Sequence, residues 1–240
     1  MTFQACHQLA LDLAFPDELR LEGFYRSPQH AEAFAAVSNL AAGTAAAQNL
    51  YLWGAAGTGK THLLVAAARQ ASERVWAPYL DLLELSASTP AGAPDQWLAG
   101  LERAGLLCLD RMEAVTGDRA WEEALFHLYN RLQLQGGSLL MAGRQAPGAS
   151  AWALPDWGSR ANWGLVLQLP SLQDADRLAI LQMRARARGL ELPREVGEFL
   201  LQRCPRDIQS LNRMLDQLDR AALAASRRLT IPFVRSVLRF

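Results

Sequence analysis

The stretch Gly54-Ala55-Ala56-Gly57-Thr58-Gly59-Lys60-Thr61 decides the fold of this chain. It matches the pattern GxxxxGKS/T in full, and it lies between an apolar run at 49–53 and a helical pattern over 61–73. Glycines in such a loop let the backbone wrap closely around a phosphate, with N–H groups and the helix N-terminus directed at the negative charge. We expect Lys60 to reach the β- and γ-phosphates of ATP or ADP, and the Thr61 hydroxyl to bind Mg²⁺.

Lysine usage points to the same segment. The sequence holds 24 basic residues, and Lys60 is the only lysine, so the other 23 are arginine. A sequence that uses arginine everywhere else retains lysine at the one position where a compact ammonium has a defined role. A glycine-rich turn that binds nothing would not need that choice, and the pattern therefore favours phosphate binding.

A second apolar run, Leu106-Leu107-Cys108-Leu109-Asp110, is typical of the strand that ends in the acid supporting the Mg²⁺ shell, with Asp110 in that role. Proteins of this type that hydrolyse ATP usually carry a second acid directly after the first, to orient the attacking water. Here that position is Arg111, which cannot accept a proton at neutral pH, and Glu113 lies two residues further on. We therefore expect the chain alone to hydrolyse ATP slowly.

Composition is that of a globular chain, with half of the 240 residues hydrophobic and a fifth charged. The three cysteines are scattered, which argues against a disulfide framework or a zinc site and favours a reducing compartment. The sequence pattern shows neither a targeting segment nor a membrane span. We expect a cytoplasmic location and no membrane partner.

Charge is unevenly distributed although the total is zero. Residues 1–170 carry 11 basic and 16 acidic side chains, a net charge of −5, and residues 171–240 carry 13 and 8, a net charge of +5. Such asymmetry indicates either a nucleic-acid contact or a basic face that meets an acidic partner.

Strand and helix patterns alternate up to about residue 170 and become purely helical afterwards. The alternation predicts an α/β core with a five-stranded parallel sheet, followed by a small all-helical lid. The predicted strands are 49–53, 75–80, 106–110, 138–142 and 165–169, and Pro78 favours an edge position for the second. The predicted helices are 28–43, 61–73, 95–104 and 118–135 in the core and 173–188, 193–203, 205–225 and 232–239 in the lid, with a loop at 86–95. We expect a tail at 1–17, a core at 18–170 and a lid at 171–240.

The order of these parts resembles that of AAA+ ATPases, in which an arginine precedes the last core strand and another lies early in the lid. More narrowly, the chain resembles the Hda family, DnaA-related regulatory inactivators of the bacterial replication initiator. The likeness covers most of the chain. It is strongest in 117–132 (GDRAWEEALFHLYNRL), in Ser159-Arg160 followed by Asn162-Trp163-Gly164, in 215–221 (LDQLDRA) and in 229–238 (LTIPFVRSVL).

The resemblance implies roles for individual residues. Arg160 becomes the arginine finger, which reaches into the nucleotide site of a neighbouring DnaA, and Arg206 becomes the second sensor, which touches the nucleotide bound here. Taken alone, Arg206 is better explained as a surface arginine offset by Asp207. The nucleotide-binding set that we expect comprises Gly54, Ala55, Ala56, Gly57, Thr58, Gly59, Lys60, Thr61, His62, Asp110 and Arg206, with ADP or ATP as ligand and Thr61 and Asp110 on Mg²⁺.

The tail Gln8-Leu9-Ala10-Leu11-Asp12-Leu13 resembles the family's sliding-clamp-binding peptide. Gln8 can hydrogen-bond at the rim of a pocket while Leu9, Leu11 and Leu13 supply apolar contacts. The partners implied are DnaA and the sliding clamp (β subunit) of DNA polymerase III. DNA is then contacted mainly through the clamp, and a homo-oligomer is compatible with the family. Without the family context, an ordinary terminal strand or a disordered tail is the better explanation of this pattern.

The sequence departs from the family pattern at three places. Asp12 stands where relatives often carry proline, and 142–144 (Ala-Gly-Arg) lack the small polar or acidic group expected of a first sensor, so no sensing residue is assigned there. We also expect no helix-turn-helix DNA-binding domain of the kind that follows the lid in DnaA itself.

Two functional readings remain open. The first is a nucleotide-bound regulator, preferring ADP, which docks on the clamp and promotes hydrolysis of ATP on DnaA. The second is a DNA-acting AAA+ ATPase, such as a helicase loader or a truncated initiator, that uses its basic lid on DNA. A small-molecule kinase would need a substrate pocket and a catalytic acid for which the sequence offers no candidate.

Overall fold

The computed structural model describes residues 19–45, 48–88, 94–203, 208–225 and 228–238. The strands are β1 (Asn49–Trp53), β2 (Tyr79–Asp81), β3 (Leu106–Asp110), β4 (Ser138–Gly143) and β5 (Leu165–Gln168). The core helices are α1 (Ala31–Ala42), α2 (Lys60–Ser72), α3 (Leu82–Ser88), α4 (Pro94–Leu98), α5 (Arg119–Leu134) and α6 (Pro155–Ala161). The later helices are α7 (Asp174–Ala187), α8 (Arg194–Arg203), α9 (Ile208–Ala225) and α10 (Ile231–Leu238). Short 3-10 turns occupy Pro28–His30, Leu101–Arg103, Met112–Ala114 and Pro147–Ala149.

The five strands form one parallel sheet, as the sequence predicted, and their order in the sheet is β2-β3-β4-β1-β5. Apolar side chains leave both faces of the sheet, so each strand is a nearly continuous apolar run. One face packs on α1 and α2 through a cluster that includes Leu52, Leu63 and Leu140. The other face packs on α5 and α6 through a cluster that includes Leu107, Leu125 and Trp157.

Strand β2 begins later than the sequence predicted. The prediction placed it at 75–80, whereas the structure gives Tyr79–Asp81, directly after Pro78. A proline has no N–H to donate to a ladder, and it is tolerated at the beginning of an edge strand. β2 does lie at an edge of the sheet, as Pro78 indicated.

Two predictions for the segment between β2 and β3, one of a loop and one of a helix, were also inexact. The predicted loop at 86–95 partly overlaps helix α3. The first turn of α3 is capped by Asp81, because the Asp81 carboxylate accepts hydrogen bonds from the N–H groups of Leu83 and Glu84. The predicted helix at 95–104 is divided into α4 and a 3-10 turn at Leu101–Arg103. Gly100 separates them with φ of 90°, a left-handed conformation that ends the helix.

The helices after residue 170 have their own hydrophobic cluster, which includes Leu181, Leu200, Leu215 and Val234. The four helices match the predicted lid to within a few residues at their described ends. Within the described part of the chain, each helix is too short or too polar to traverse a lipid bilayer.

A buried carboxylate joins three segments of the core. Glu122 in α5 is fully buried and accepts hydrogen bonds from the N–H groups of Gly117 (2.6 Å) and Leu154 (2.6 Å). Leu154 is the residue before α6, so Glu122 connects the beginning of α5 to the beginning of α6. The orientation of α6 therefore depends on a side chain from another helix.

We predict that Glu122→Ala lowers the free energy of unfolding by about 3–6 kcal/mol, because the N–H groups of Gly117 and Leu154 each lose a hydrogen bond to a charged acceptor, which contributes about 1.5–3 kcal/mol. Glu123→Ala is the matched control. Glu123 forms only an exposed pair with Arg119, and its loss should cost no more than about 0.5 kcal/mol. Urea unfolding measures both variants, and equal losses would contradict this role of Glu122.

Candidate functional site

The glycine-rich loop connects β1 to α2 at the carboxyl end of the sheet. The N–H of Gly54 donates to Gly143 O (3.2 Å), and a Cβ at Gly54 would lie 2.3 Å from Leu169 O, so a larger residue cannot occupy this position. Gly59 precedes α2 with φ of 99°, which favours glycine. The first-turn N–H groups of α2 have no partner within the helix. The loop therefore presents N–H groups that can donate hydrogen bonds to an anion.

Lys60 is a buried cation without a counter-ion. Its Nζ donates to Gly54 O (2.6 Å) and Ala55 O (2.8 Å), and among the described residues it makes no ion pair. Burial lowers the pKa of Lys60, while the charges of Asp110 and Glu113 oppose that shift. A phosphate in the loop would supply the missing negative charge, so the residues present fit a nucleotide.

Thr61 and Asp110 are brought together as predicted. The Thr61 hydroxyl donates to Asp110 Oδ2 (2.6 Å), the Tyr79 hydroxyl donates to the same oxygen (3.0 Å), and the Arg111 N–H donates to Oδ1 (2.8 Å). Burial raises the pKa of Asp110, and the hydrogen bonds from Thr61, Arg111 and Tyr79 oppose that rise. These hydroxyl and carboxylate oxygens are of the kind that Mg²⁺ prefers.

Tyr79 was missed by the sequence analysis. It lies on β2 opposite Cys108 of β3, which brings its hydroxyl to the end of the acidic strand. Burial is the main reason that the pKa of Tyr79 lies far above its usual value. The charge of Asp110 and the hydrogen bond to it raise this pKa further. The phenol therefore stays protonated and acts as a donor. The only signal in the sequence for this role is that Tyr79, an aromatic residue with a hydroxyl group, lies in a predicted strand.

Arg111 is turned away from the loop. It adopts a left-handed conformation (φ 58°, ψ 48°), and its guanidinium forms an ion pair with Asp81 and lies 3.6 Å from Glu84. The position that carries a water-orienting acid in hydrolysing enzymes is thus held by a paired cation at the edge of the sheet.

Glu113 is paired as well. Arg144 Nε lies 3.0 Å from Glu113 Oε1, and the Arg144 N–H donates to Oε2 (3.2 Å). Arg144 follows Gly143 at the end of β4, directly beside the beginning of the loop. The ion pair between Glu113 and Arg144 was not predicted from the sequence, because it forms only when β3 and β4 are neighbours in the sheet. Arg111 cannot accept a proton, and Glu113 is engaged in an ion pair with Arg144.

His62 lies on the side of α2 that faces the N-terminal segment. Its Nε2 is 2.8 Å from Arg20 O, and its ring meets Phe24 edge-on with centroids 5.4 Å apart. Phe24 also covers Gly59. This imidazole nitrogen is occupied by a backbone carbonyl, so contact between His62 and a nucleotide stays a prediction.

Arg160 lies at the other end of the sheet from the loop. It is in the last turn of α6, which leads through Gly164 into β5. A Cβ at Gly164 would lie 2.4 Å from Asn49 O at the beginning of β1, whereas the loop follows the end of β1. The five residues of β1 span about 16 Å at about 3.3 Å each. Arg160 therefore cannot serve the phosphate site of its own chain.

The side chain of Arg160 lies in a surface groove of about 760 Å³. Its Cζ is 5.8 Å from the ring centroid of Tyr129 and 5.2 Å from that of Trp163. Among the residues that the structure describes, Arg160 makes no ion pair. Its N–H donors are available to an anion outside this chain.

Five predicted site residues lie outside the described residues. These are Arg206 and the tail residues Gln8, Leu9, Leu11 and Leu13. Their roles as second sensor and clamp contact stay predictions.

Comparison with known families identifies two regions. A model of the bacterial DnaA ATPase domain matches residues 17–168, and a model of the Hda lid domain matches residues 174–238.

Solved structures agree on the fold. Domain III of the Thermotoga maritima replication initiation protein DnaA is 20% identical, with a TM-score of 0.76 over 93% of this chain and 97% of that chain. The replication initiator DnaA bound to AMPPCP and single-stranded DNA is 21% identical, with a TM-score of 0.71 over 88% and 69%. The Thermotoga maritima RuvB Holliday junction branch migration motor is 17% identical, with a TM-score of 0.65 over 92% and 71%. At these identities the likeness establishes the AAA+ fold.

We predict that His62 makes folding acid-sensitive. Burial is the main reason that the pKa of His62 is lowered, with the Arg184 charge adding to it and the Arg20 carbonyl opposing it. The folded chain therefore favours the neutral imidazole, and stability is lost as the pH falls below the unfolded pKa of about 6.5. The free energy of unfolding should fall less between pH 7.5 and 5 in His62→Gln than in the wild type.

His127→Gln is the control, because His127 is exposed on α5 and should leave the wild-type pH dependence unchanged. Identical pH dependence in His62→Gln and the wild type would show that the buried imidazole is not the sensitive group.

Proposed function

Since the chain belongs to the bacterial DnaA ATPase-domain family and joins that domain to an Hda lid, the domain pairing of the Hda family, we propose that it regulates the initiation of bacterial DNA replication. In this proposal the chain binds a nucleotide, docks on the DNA-loaded sliding clamp and promotes hydrolysis of the ATP that DnaA holds. The position of Arg160 is the observation that carries the proposal, since it lies at the far end of the sheet from the phosphate loop and has no ion-pair partner among the described residues.

The nucleotide is ATP or ADP with Mg²⁺. Lys60 without a counter-ion and the donors at the beginning of α2 support phosphate binding, and a DnaA of similar fold has been solved with AMPPCP. Thr61 and Asp110 would hold Mg²⁺, which neutralises phosphate charge when bound. ADP is the resident nucleotide in this proposal.

Hydrolysis by the chain itself should be slow. Arg111 pairs with Asp81 where a water-orienting acid is expected, and Glu113 is held by Arg144. Nucleotide binding then sets the shape of the chain, and the chemistry takes place on its partner.

Arg160 is the residue that acts on the partner. A guanidinium delivered from one AAA+ subunit to another stabilises the charge that develops on the transferred phosphoryl group. Because Arg160 has no carboxylate partner among the described residues, its donors can all be given to that phosphate. Hydrolysis leaves DnaA with ADP, which makes this chain an inhibitor of initiation.

The tail brings the chain to replicating DNA. Gln8, Leu9, Leu11 and Leu13 would occupy the peptide groove of the DNA polymerase III sliding clamp. DNA is then reached through the clamp, which is consistent with a chain whose net charge is zero.

A DNA-acting ATPase is the second candidate. This candidate is favoured by the likeness of the chain to the fold of RuvB and by the net charge of +5 in residues 171–240. The ion pair that holds Arg111 and the pairing of Glu113 argue against it, because a motor needs repeated hydrolysis.

Lys60→Ala should weaken binding of ADP and of ATP by at least about tenfold. Hydrogen bonds to charged groups contribute about 1.5–3 kcal/mol, and no second lysine can replace the contact. Isothermal titration calorimetry measures both affinities. Arg119→Ala, which removes an exposed cation from α5, is the control and should bind like the wild type. Wild-type affinity in Lys60→Ala would refute phosphate binding by this loop.

Arg160→Ala should fold and bind ADP normally but fail to accelerate hydrolysis of ATP on DnaA. Arginine fingers contribute about 10³–10⁵ in rate, which is about 4–7 kcal/mol of transition-state stabilisation. Single-turnover hydrolysis by ATP-loaded DnaA, in the presence of clamp-loaded DNA, is the measurement. Arg131→Ala removes a half-exposed cation of α5 and should retain wild-type stimulation. If Arg160→Ala stimulates as well as the wild type, Arg144 or a group of DnaA must supply the charge.

A further inference from the structure

We propose that Tyr129 and Trp163 are positioning residues, which hold the Arg160 guanidinium between two aromatic rings and so present its donors to the phosphate of the partner. The inference rests on the proposed function of Arg160, and it assigns to the groove around this residue the task of orienting it.

Tyr129 is the fixed ring. It is 5% exposed, and its hydroxyl accepts a hydrogen bond from Asn49 Nδ2 (2.9 Å). Asn49 Oδ1 in turn accepts from Gln133 Nε2 (3.1 Å), which is also within hydrogen-bonding distance of Gly137 O (3.2 Å). The ring packs edge-on against Trp157, with centroids 6.5 Å apart. These contacts anchor Tyr129 to the beginning of β1.

Trp163 is the exposed ring. It is 63% exposed, yet its backbone N–H donates to Arg160 O (3.0 Å), so the two residues are joined through the end of α6. Its ring lies 5.2 Å from Arg160 Cζ. A large aromatic side chain that is mostly exposed gains little from burial, and the contact with Arg160 gives it a defined role.

Aromatic contacts suit an arginine that must act on another molecule. Both rings attract the cation through their faces, whereas a carboxylate partner would occupy its N–H donors. A free arginine side chain samples many rotamers, and the loss of side-chain entropy opposes fixing it in one of them. Two flanking rings restrict those rotamers before the partner arrives, which is the preorganisation that favours the transition state.

The test compares Trp163→Ala, Trp163→Phe and Trp76→Ala in the stimulated hydrolysis of DnaA-bound ATP, with the concentration of the chain varied to separate the maximal rate from the half-saturating concentration. Trp76 is a matched control, since it is 52% exposed and lies next to β2 at the opposite edge of the sheet from β5. Trp163→Ala should lower the maximal rate by about 2- to 30-fold, the range of a cation–π contact, at an unchanged half-saturating concentration. Trp163→Phe should restore most of the rate, and Trp76→Ala should match the wild type.

A change confined to the half-saturating concentration would overturn the inference, because Trp163 would then be a docking contact. An unchanged maximal rate in Trp163→Ala would overturn it as well. In an Arg160→Ala background, Trp163→Ala should cause no additional loss, because the ring would have nothing left to position. If Arg160→Ala itself leaves stimulation intact, the proposed function fails, which is a separate result.

A spectroscopic readout tests the contact without DnaA. The Arg160 Nε–Hε resonance, assigned by its absence from Arg160→Ala, should shift in Trp163→Ala because a ring current is removed. Trp76→Ala should leave it in place. A resonance that does not move in Trp163→Ala would show that the ring does not hold the guanidinium in solution.

Discussion

The parallel hydrogen bonding of β1 between β4 and β5 is the constraint on which the other features depend. It pairs Leu50 with Leu165 and Trp53 with Gln168, and it ties Gly54 to the end of β4. The phosphate loop therefore leaves the sheet at one end, and the segment that carries Arg160 enters it at the other. Lys60 and Arg160 are therefore held about one strand length apart by a single ladder.

At the loop end, buried charge is arranged for binding rather than for turnover. Lys60 donates to two carbonyl oxygens and has no counter-ion among the described residues, and Asp110 is buried with three donors around its carboxylate. Such groups cost stability when no ligand is bound, and proteins retain them at functional sites. The acids that could assist hydrolysis are engaged, since Glu113 pairs with Arg144 and Asp81 with Arg111. The proposed nucleotide site and the proposed slow hydrolysis by the chain therefore rest on the same strand ends.

The sequence supported the fold and part of the site. The strands and the glycine loop follow from local sequence patterns, whereas Thr61 and Asp110 were assigned from two separate motifs that the sheet brings together across 49 residues. Tyr79, the Glu113–Arg144 pair and the rings around Arg160 were not predicted, because each joins segments that meet only once the strand order is known. The beginning of β2 was misplaced because Val75 and Trp76 look strand-like, although the ladder begins only after Pro78. Arg206 and the tail lie outside the described residues, so their assignment still rests on resemblance.

The most direct test of the account is the fate of radiolabelled ATP held by purified DnaA. Wild-type chain with ADP and clamp-loaded DNA would be added to ATP-loaded DnaA separately and together, and the nucleotide on DnaA would be identified over time. The account predicts rapid conversion of ATP to ADP only when the chain and the clamp-loaded DNA are both present. ATP that stays intact on DnaA in the complete mixture would contradict it.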